Sequence, residues 1–126
     1  MLDEKLMLEE KVWAVVGANI NPDKYGNKIY KMLKEKGYKV YPVNPKYETV
    51  EGDTCYKSLS SLPEKPGVIN MVIPPKLGFA VVEEAVKLGL NNMWFQPGTY
   101  NEELVDLARQ KGIKSVLSCV LAVLRG

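Results

Sequence analysis

The chain has 126 residues, 46% apolar and 25% charged, with a net charge of +2; residues 1–126 are expected to form a single domain long enough to bury its own core. The charges are interspersed and near balance, which argues against a nucleic-acid face. No apolar run approaches the ~18 residues of a membrane span, and Met1–Lys11 carries Asp3, Glu4, Glu9 and Glu10, unlike a secretory signal.

There is no histidine. That excludes a histidine base, a phosphohistidine and a Ser-His or Cys-His nucleophile pair. With only Cys55 and Cys119, far apart, neither a disulfide framework nor a tetrahedral metal site is expected, and free thiols point to a cytoplasmic protein.

Residues 2–10 read as a short helix covering the sheet. Val12 to Val16 are all apolar, the pattern of a strand buried on both faces. Gly17 lets the backbone leave that strand sharply. Asn19 and Asn21 are turn formers, and Pro22 and Asp23 suit a helix start. A helix over 24–37 follows, with Ile29, Met32 and Leu33 inward, and Lys24 and Lys28 in its first turns. The free N–H groups at such a start suit a phosphate. A plain turn, with Gly17 needed only for geometry, fits this stretch equally well.

Residues 38–43 form a second strand, ending in Asn44-Pro45. A dinucleotide-binding crossover would carry an acid there and G-x-G-x-x-G in the first loop. Asn44 and Gly17-Ala18-Asn19 depart from both, against NAD. Neutral Asn44 would tolerate a phosphorylated ribose, or it merely closes a loop. Residues 46–66 read as a polar connection with one helical turn over 58–62. Strands follow at 67–73, 91–96 and 113–117, and helices at 77–88 and from the Asn101 cap to Lys111. An apolar tail, Val120–Leu124, ends the pattern and is a candidate surface for a homodimer or partner protein. The expectation is an α/β, doubly wound sheet of five mostly parallel strands in the order 3-2-1-4-5, with helices on both faces and ligand at the carboxyl ends of the strands, near the switch between strands 1 and 4.

Val-Val-Gly-Ala-Asn with Asp-Lys-Tyr-Gly, Tyr-Pro-Val-Asn-Pro, Ile-Pro-Pro and Gln-Pro-Gly, in that order, resemble the small stand-alone CoA-binding domain proteins. These are similar to the N-terminal domain of the succinyl-CoA synthetase α-subunit. The resemblance covers residues 10–119 and implies a Rossmann-like fold that binds coenzyme A. By position it implies Gly17, Ala18 and Asn19 at the phosphates, with Lys24, Tyr25 and Gly26 close by. Val43, Asn44 and Pro45 would flank the adenosine or its ribose phosphate. Ile73, Pro74 and Pro75 would line the pantetheine path, with Gln96, Pro97 and Gly98 near its far end. Cys119 matches a position where such proteins commonly carry cysteine. Two departures stand out: Asn19 replaces a usual Ser or Thr, and Leu117-Ser118 precede Cys119 where an acid and a base are common.

The leading expectation is a cytoplasmic binding module for CoA or a short acyl-CoA, without ligase activity of its own, since the synthetase step needs a phosphohistidine. The alternatives are CoA-linked thiol exchange through Cys119, or an interaction protein of the same fold with a vestigial or NAD-type pocket. A buried, inert Cys119 is the competing reading of the second.

Overall fold

The computed structural model describes residues 2–125. Its elements run α1 (Leu2–Glu9), β1 (Val12–Val16), α2 (Tyr25–Glu35), β2 (Lys39–Val43), β3 (Thr49–Val50), β4 (Asp53–Thr54), a 3-10 turn (Leu59–Ser61), β5 (Val68–Met71), α3 (Pro75–Leu88), β6 (Asn92–Phe95), α4 (Glu102–Gln110), β7 (Lys114–Leu117) and α5 (Val120–Arg125). Five of the strands form one parallel sheet.

The alternation of apolar residues along β1 divides the core. Trp13 and Val15 pack with Met7 of α1, Ile29, Tyr30 and Leu33 of α2, and Val120 and Leu121 of α5. Ala14 and Val16 pack on the other face with Val82 and Ala85 of α3, Leu104 and Ala108 of α4, and Leu59. A strand with both faces covered has no polar side to show, which is why its sequence is a continuous apolar run.

The sheet order is β2-β1-β5-β6-β7. Numbering only these five strands, that is 2-1-3-4-5, and the expected 3-2-1-4-5 is wrong. The reason lies in Pro42. The Pro42 carbonyl faces away from β1 and accepts from Tyr56 N–H (2.9 Å), and Asn44 N–H donates to the Tyr56 carbonyl (2.9 Å). Since a residue's N–H and C=O share a side in a strand, the missing N–H of Pro42 also falls on that outer edge. Proline is confined to edge strands, so β2 cannot be the interior strand that 3-2-1-4-5 requires. The connection 46–66 instead returns past β2 and delivers β5 to the other side of β1. The switch point therefore lies between β1 and β5, not between strands 1 and 4.

That connection is also more structured than a loop. It holds the β3–β4 hairpin, turned through Glu51 and Gly52, and its helical turn falls at Leu59–Ser61 within the expected stretch. Tyr30 and Lys34 of α2 both hydrogen-bond Asp53 on the hairpin. α3 begins at Pro75, earlier than expected, because proline suits the first helical position. Asn101 caps α4 as expected, its Oδ1 accepting from Leu104 N–H at 2.9 Å. The apolar tail is a helix whose Val120 and Leu121 are buried in this chain's own core.

Asn70 is an exception to the apolar core: it is fully buried in β5, and neither its Oδ1 nor its Nδ2 has a hydrogen-bond partner among the described residues. An unpaired buried polar group costs about 1–3 kcal/mol. Asn70→Leu, close in shape, is therefore expected to raise stability by about that amount in denaturant titration; a loss of stability would show that the amide is satisfied in solution.

Candidate functional site

The carboxyl ends of the strands form one rim, and two clefts open along it. The first, about 440 Å³, lies over the ends of β2, β1 and β5. Of the candidate residues, Gly17, Asn19, Val43, Asn44, Pro45, Ile73 and Pro74 line it, together with Lys46, Lys57, Ser58, Val72, Leu77 and Glu84. The second, about 320 Å³, lies over the ends of β5, β6 and β7 and is lined by Tyr25, Val72, Ile73, Pro74, Gln96, Pro97, Gly98, Thr99 and Cys119. Val72, Ile73 and Pro74 belong to both.

Gly17 has a reason to be glycine before any ligand arrives. Its φ is +101°, and a Cβ there would stand 2.4 Å from the Val72 carbonyl oxygen. Its N–H donates to the Val43 carbonyl at 2.9 Å. Gly26 is constrained from the other side: a Cβ would meet the Gly17 carbonyl oxygen at 2.1 Å. The start of α2 thus rests directly on the first loop. Gly26 lines neither cleft, and its role is this close approach.

The loop is tied by its own amides. Asn19 Oδ1 accepts from Asn21 N–H (2.8 Å), and Asn21 Oδ1 from Asp23 N–H (2.9 Å). Asn19 Nδ2 makes no hydrogen bond among the described residues, so its donor is free for a phosphate oxygen. Buried Asn27, unremarked in the sequence, donates through Nδ2 to both the Asn19 carbonyl and Glu51 Oε2 (2.9 Å each), locking the loop to the hairpin. Asn44 donates through Nδ2 to the Ala18 carbonyl (2.9 Å) and accepts from Lys46 N–H at Oδ1 (2.9 Å). Asn44 is thus a strut between two strand ends as well as a lining residue.

Three further expected residues fall outside the clefts. The Ala18 side chain is fully buried in the core. Lys24 is exposed at the N-cap of α2 and lines neither cleft. Pro75 starts α3 and lines neither. The cations that do line the first cleft are Lys46 and Lys57, and neither is ion-paired among the described residues. Lys46 was legible as the residue after Asn44-Pro45; Lys57 depended on the route of the connection. Glu84, the cleft's one carboxylate, is held by Leu59 N–H, Ser60 N–H and the Ser60 hydroxyl.

Among the described residues, no charged side chain lines the second cleft. Gln96 is 3% exposed, and its Oε1 accepts from Val120 N–H at 2.9 Å. The Gln96 carbonyl accepts from Thr99 N–H (3.1 Å) and Thr99 Oγ1 (2.7 Å), closing a Pro97-Gly98 turn. Burial works to raise the Cys119 thiol pKa, but the backbone N–H groups of Ala122 and Leu121, the Gln96 side chain and the positive charge of Arg125 outweigh it and hold the thiol below its ordinary value. Burial pushes the Cys55 thiol up.

A larger hollow, about 580 Å³, runs along α3 and is lined by Glu83, Glu84 and Lys87; its excess of carboxylates disfavours a polyphosphate. Among the described residues no group of three or more Cys, Asp or Glu side chains could hold a metal ion, and no helix is long and apolar enough to cross a membrane.

Residues 11–125 match the CoA binding domain family. The chain belongs to that family, and its ligand is coenzyme A. It is 34% identical over 116 residues to an ADP-forming acetate–CoA ligase I of Archaeoglobus fulgidus, a match covering 84% of this chain but 17% of the ligase. It is 28% identical to the uncharacterized protein YneT of Bacillus subtilis, covering 95% of this chain and 89% of YneT. A solved structure of a hypothetical protein from Pyrococcus horikoshii OT3 superimposes with a TM-score of 0.89 at 39% identity, covering 98% of this chain and 90% of that one. The Rossmann-like fold and the resemblance to small CoA-binding domains are thereby borne out.

The geometry at Gly26 yields a direct test. Gly26→Ala is expected to cost about 1–3 kcal/mol, as for overpacking, and to weaken CoA binding by displacing the first loop. Unfolding and calorimetry together check this; unchanged stability would contradict the close approach.

Proposed function

We propose that this chain is a single-domain, cytoplasmic CoA-binding module that holds CoA, free or carrying a short acyl group, along the rim. Adenosine and phosphates occupy the first cleft, and pantetheine crosses Ile73 and Pro74 into the second. The observation that carries this reading is that the two clefts share Val72, Ile73 and Pro74, making one track from Gly17 to Cys119. Lys46 and Lys57, rather than Lys24 and Lys28 in the first turns of α2, supply the positive charge for the phosphates, while Gly17, Asn19, Val43, Asn44 and Pro45 shape the cleft.

A ligase step is not proposed. A chain without histidine carries no phosphohistidine, and the part of the Archaeoglobus ligase that it matches is a small fraction of that enzyme. An NAD-type pocket is disfavoured because Asn44 stands where an acid would hold a ribose.

Calorimetric titration with CoA, dephospho-CoA, acetyl-CoA and NAD tests the reading. CoA is expected to bind more tightly than dephospho-CoA, acetyl-CoA comparably to CoA, and NAD weakly or not at all. Absence of CoA binding, with ligand carried through purification excluded, would overturn it. Lys46→Ala and Lys57→Ala are each expected to weaken CoA by about 1 kcal/mol, roughly fivefold, less at high salt. Lys24→Ala is expected to have a smaller effect; the reverse ranking would move the phosphates to the α2 start.

A further inference from the structure

We propose that the second cleft is a thiol–disulfide exchange site, in which Cys119 exchanges with a disulfide containing CoA; this rests on the CoA reading above. Cys119 lines the cleft and is partly open, whereas Cys55 is 7% exposed and lines neither cleft. Gln96 provides the independent observation. It is 3% exposed, its Oε1 is fixed by Val120 N–H, and it lines the same cleft. Its amide nitrogen, which bonds no other group among the described residues, is left to the cleft and the Cys119 thiol. An amide donor in a cleft whose other walls include Val72, Ile73 and Pro74 is a handle for an acceptor on a ligand passing those walls, such as a pantetheine amide carbonyl. It delivers the ligand's sulfur to the thiol. The lowered thiol pKa raises the thiolate fraction at any given pH.

In the step, the Cys119 thiol loses its proton to water and the thiolate attacks the CoA sulfur of CoA–S–S–R. The Cys119–S–S–CoA bond forms as the original S–S bond breaks, and R–S⁻ leaves and takes up a proton. Cys119 is oxidised, the R sulfur is reduced, and the co-reactant is a low-molecular-weight disulfide of CoA. A second thiol reverses the reaction.

The experiment incubates reduced, full-length protein with CoA disulfide, or with glutathione disulfide at equal concentration, and follows intact mass and peptide maps. One CoA adduct per chain is expected on Cys119, removed by dithiothreitol, forming at least about tenfold faster than the glutathione adduct. Cys119→Ser is expected to abolish it, and Cys55→Ser to retain it. Gln96→Glu keeps the oxygen that meets Val120 N–H but brings a negative charge to the thiol; it is expected to slow labelling about tenfold at neutral pH, with the rate recovering as pH rises. If CoA binds in calorimetry but Cys119 reacts no faster with CoA disulfide than with glutathione disulfide, or Cys55 is labelled equally, the exchange proposal is overturned. If CoA does not bind at all, the binding reading fails first, and the exchange falls with it.

Discussion

The contact on which the rim depends is the close approach of three backbones at Gly17. The end of β1 turns against the Val72 carbonyl, donates to the Val43 carbonyl, and takes the first turn of α2, through Gly26, directly on its own carbonyl. Neither glycine position has room for a Cβ. Because β1 sits between β2 and β5, this one junction sets how the exits of three strands lie relative to one another. Asn27 and Asn44 then fasten the loop sideways, to the hairpin and to the end of β2. The rim is therefore built from main-chain packing and amide struts, so its shape exists before a ligand is bound, which lowers the ordering cost of binding.

Much of this was legible in the chain. Val12–Val16, the Asn101 cap and the turn residues at each strand end carry strong local signals, and local signals are what a sequence displays. The strand order was read wrongly because it depends on which edge of β2 the connection 46–66 passes. Pro42 held that information as a missing donor, and a proline within an apolar strand is easily passed over when the run looks continuous. The site shows the same division. Gly17, Asn44, Gln96 and Cys119, all at strand ends, line the clefts. Lys57 and Asn27 carry no local signal, since each matters only through contacts with segments distant in sequence. Ala18, Lys24, Gly26 and Pro75 neighbour lining residues in sequence but line neither cleft: Ala18 is in the core, Lys24 stands at the N-cap of α2, Gly26 packs on the Gly17 carbonyl, and Pro75 starts α3.

The two clefts differ in a way that follows the chemistry of one elongated ligand. The first has lysines and a free Asn19 amide beside apolar Val43 and Leu77, a match for phosphates and a purine. The second is uncharged, with Gln96 and a thiol at its end, a match for pantetheine. Membership of the CoA binding domain family and this polarity gradient agree, although they come from independent observations. The region matched by this chain is 17% of the Archaeoglobus ligase and 89% of YneT, so related sequence occurs both within a larger enzyme and as most of a small protein.

The most direct test of the rim as the CoA site is a nitrogen-15 amide NMR titration of the reduced protein with CoA. Shifts are expected in two blocks, Gly17–Asn19 with Asn44 and Lys46, and Val72 and Ile73 with Gln96, Gly98 and Thr99, following one binding curve. Shifts confined to the hollow along α3, or two blocks following different curves, would contradict a single ligand lying along the strand ends.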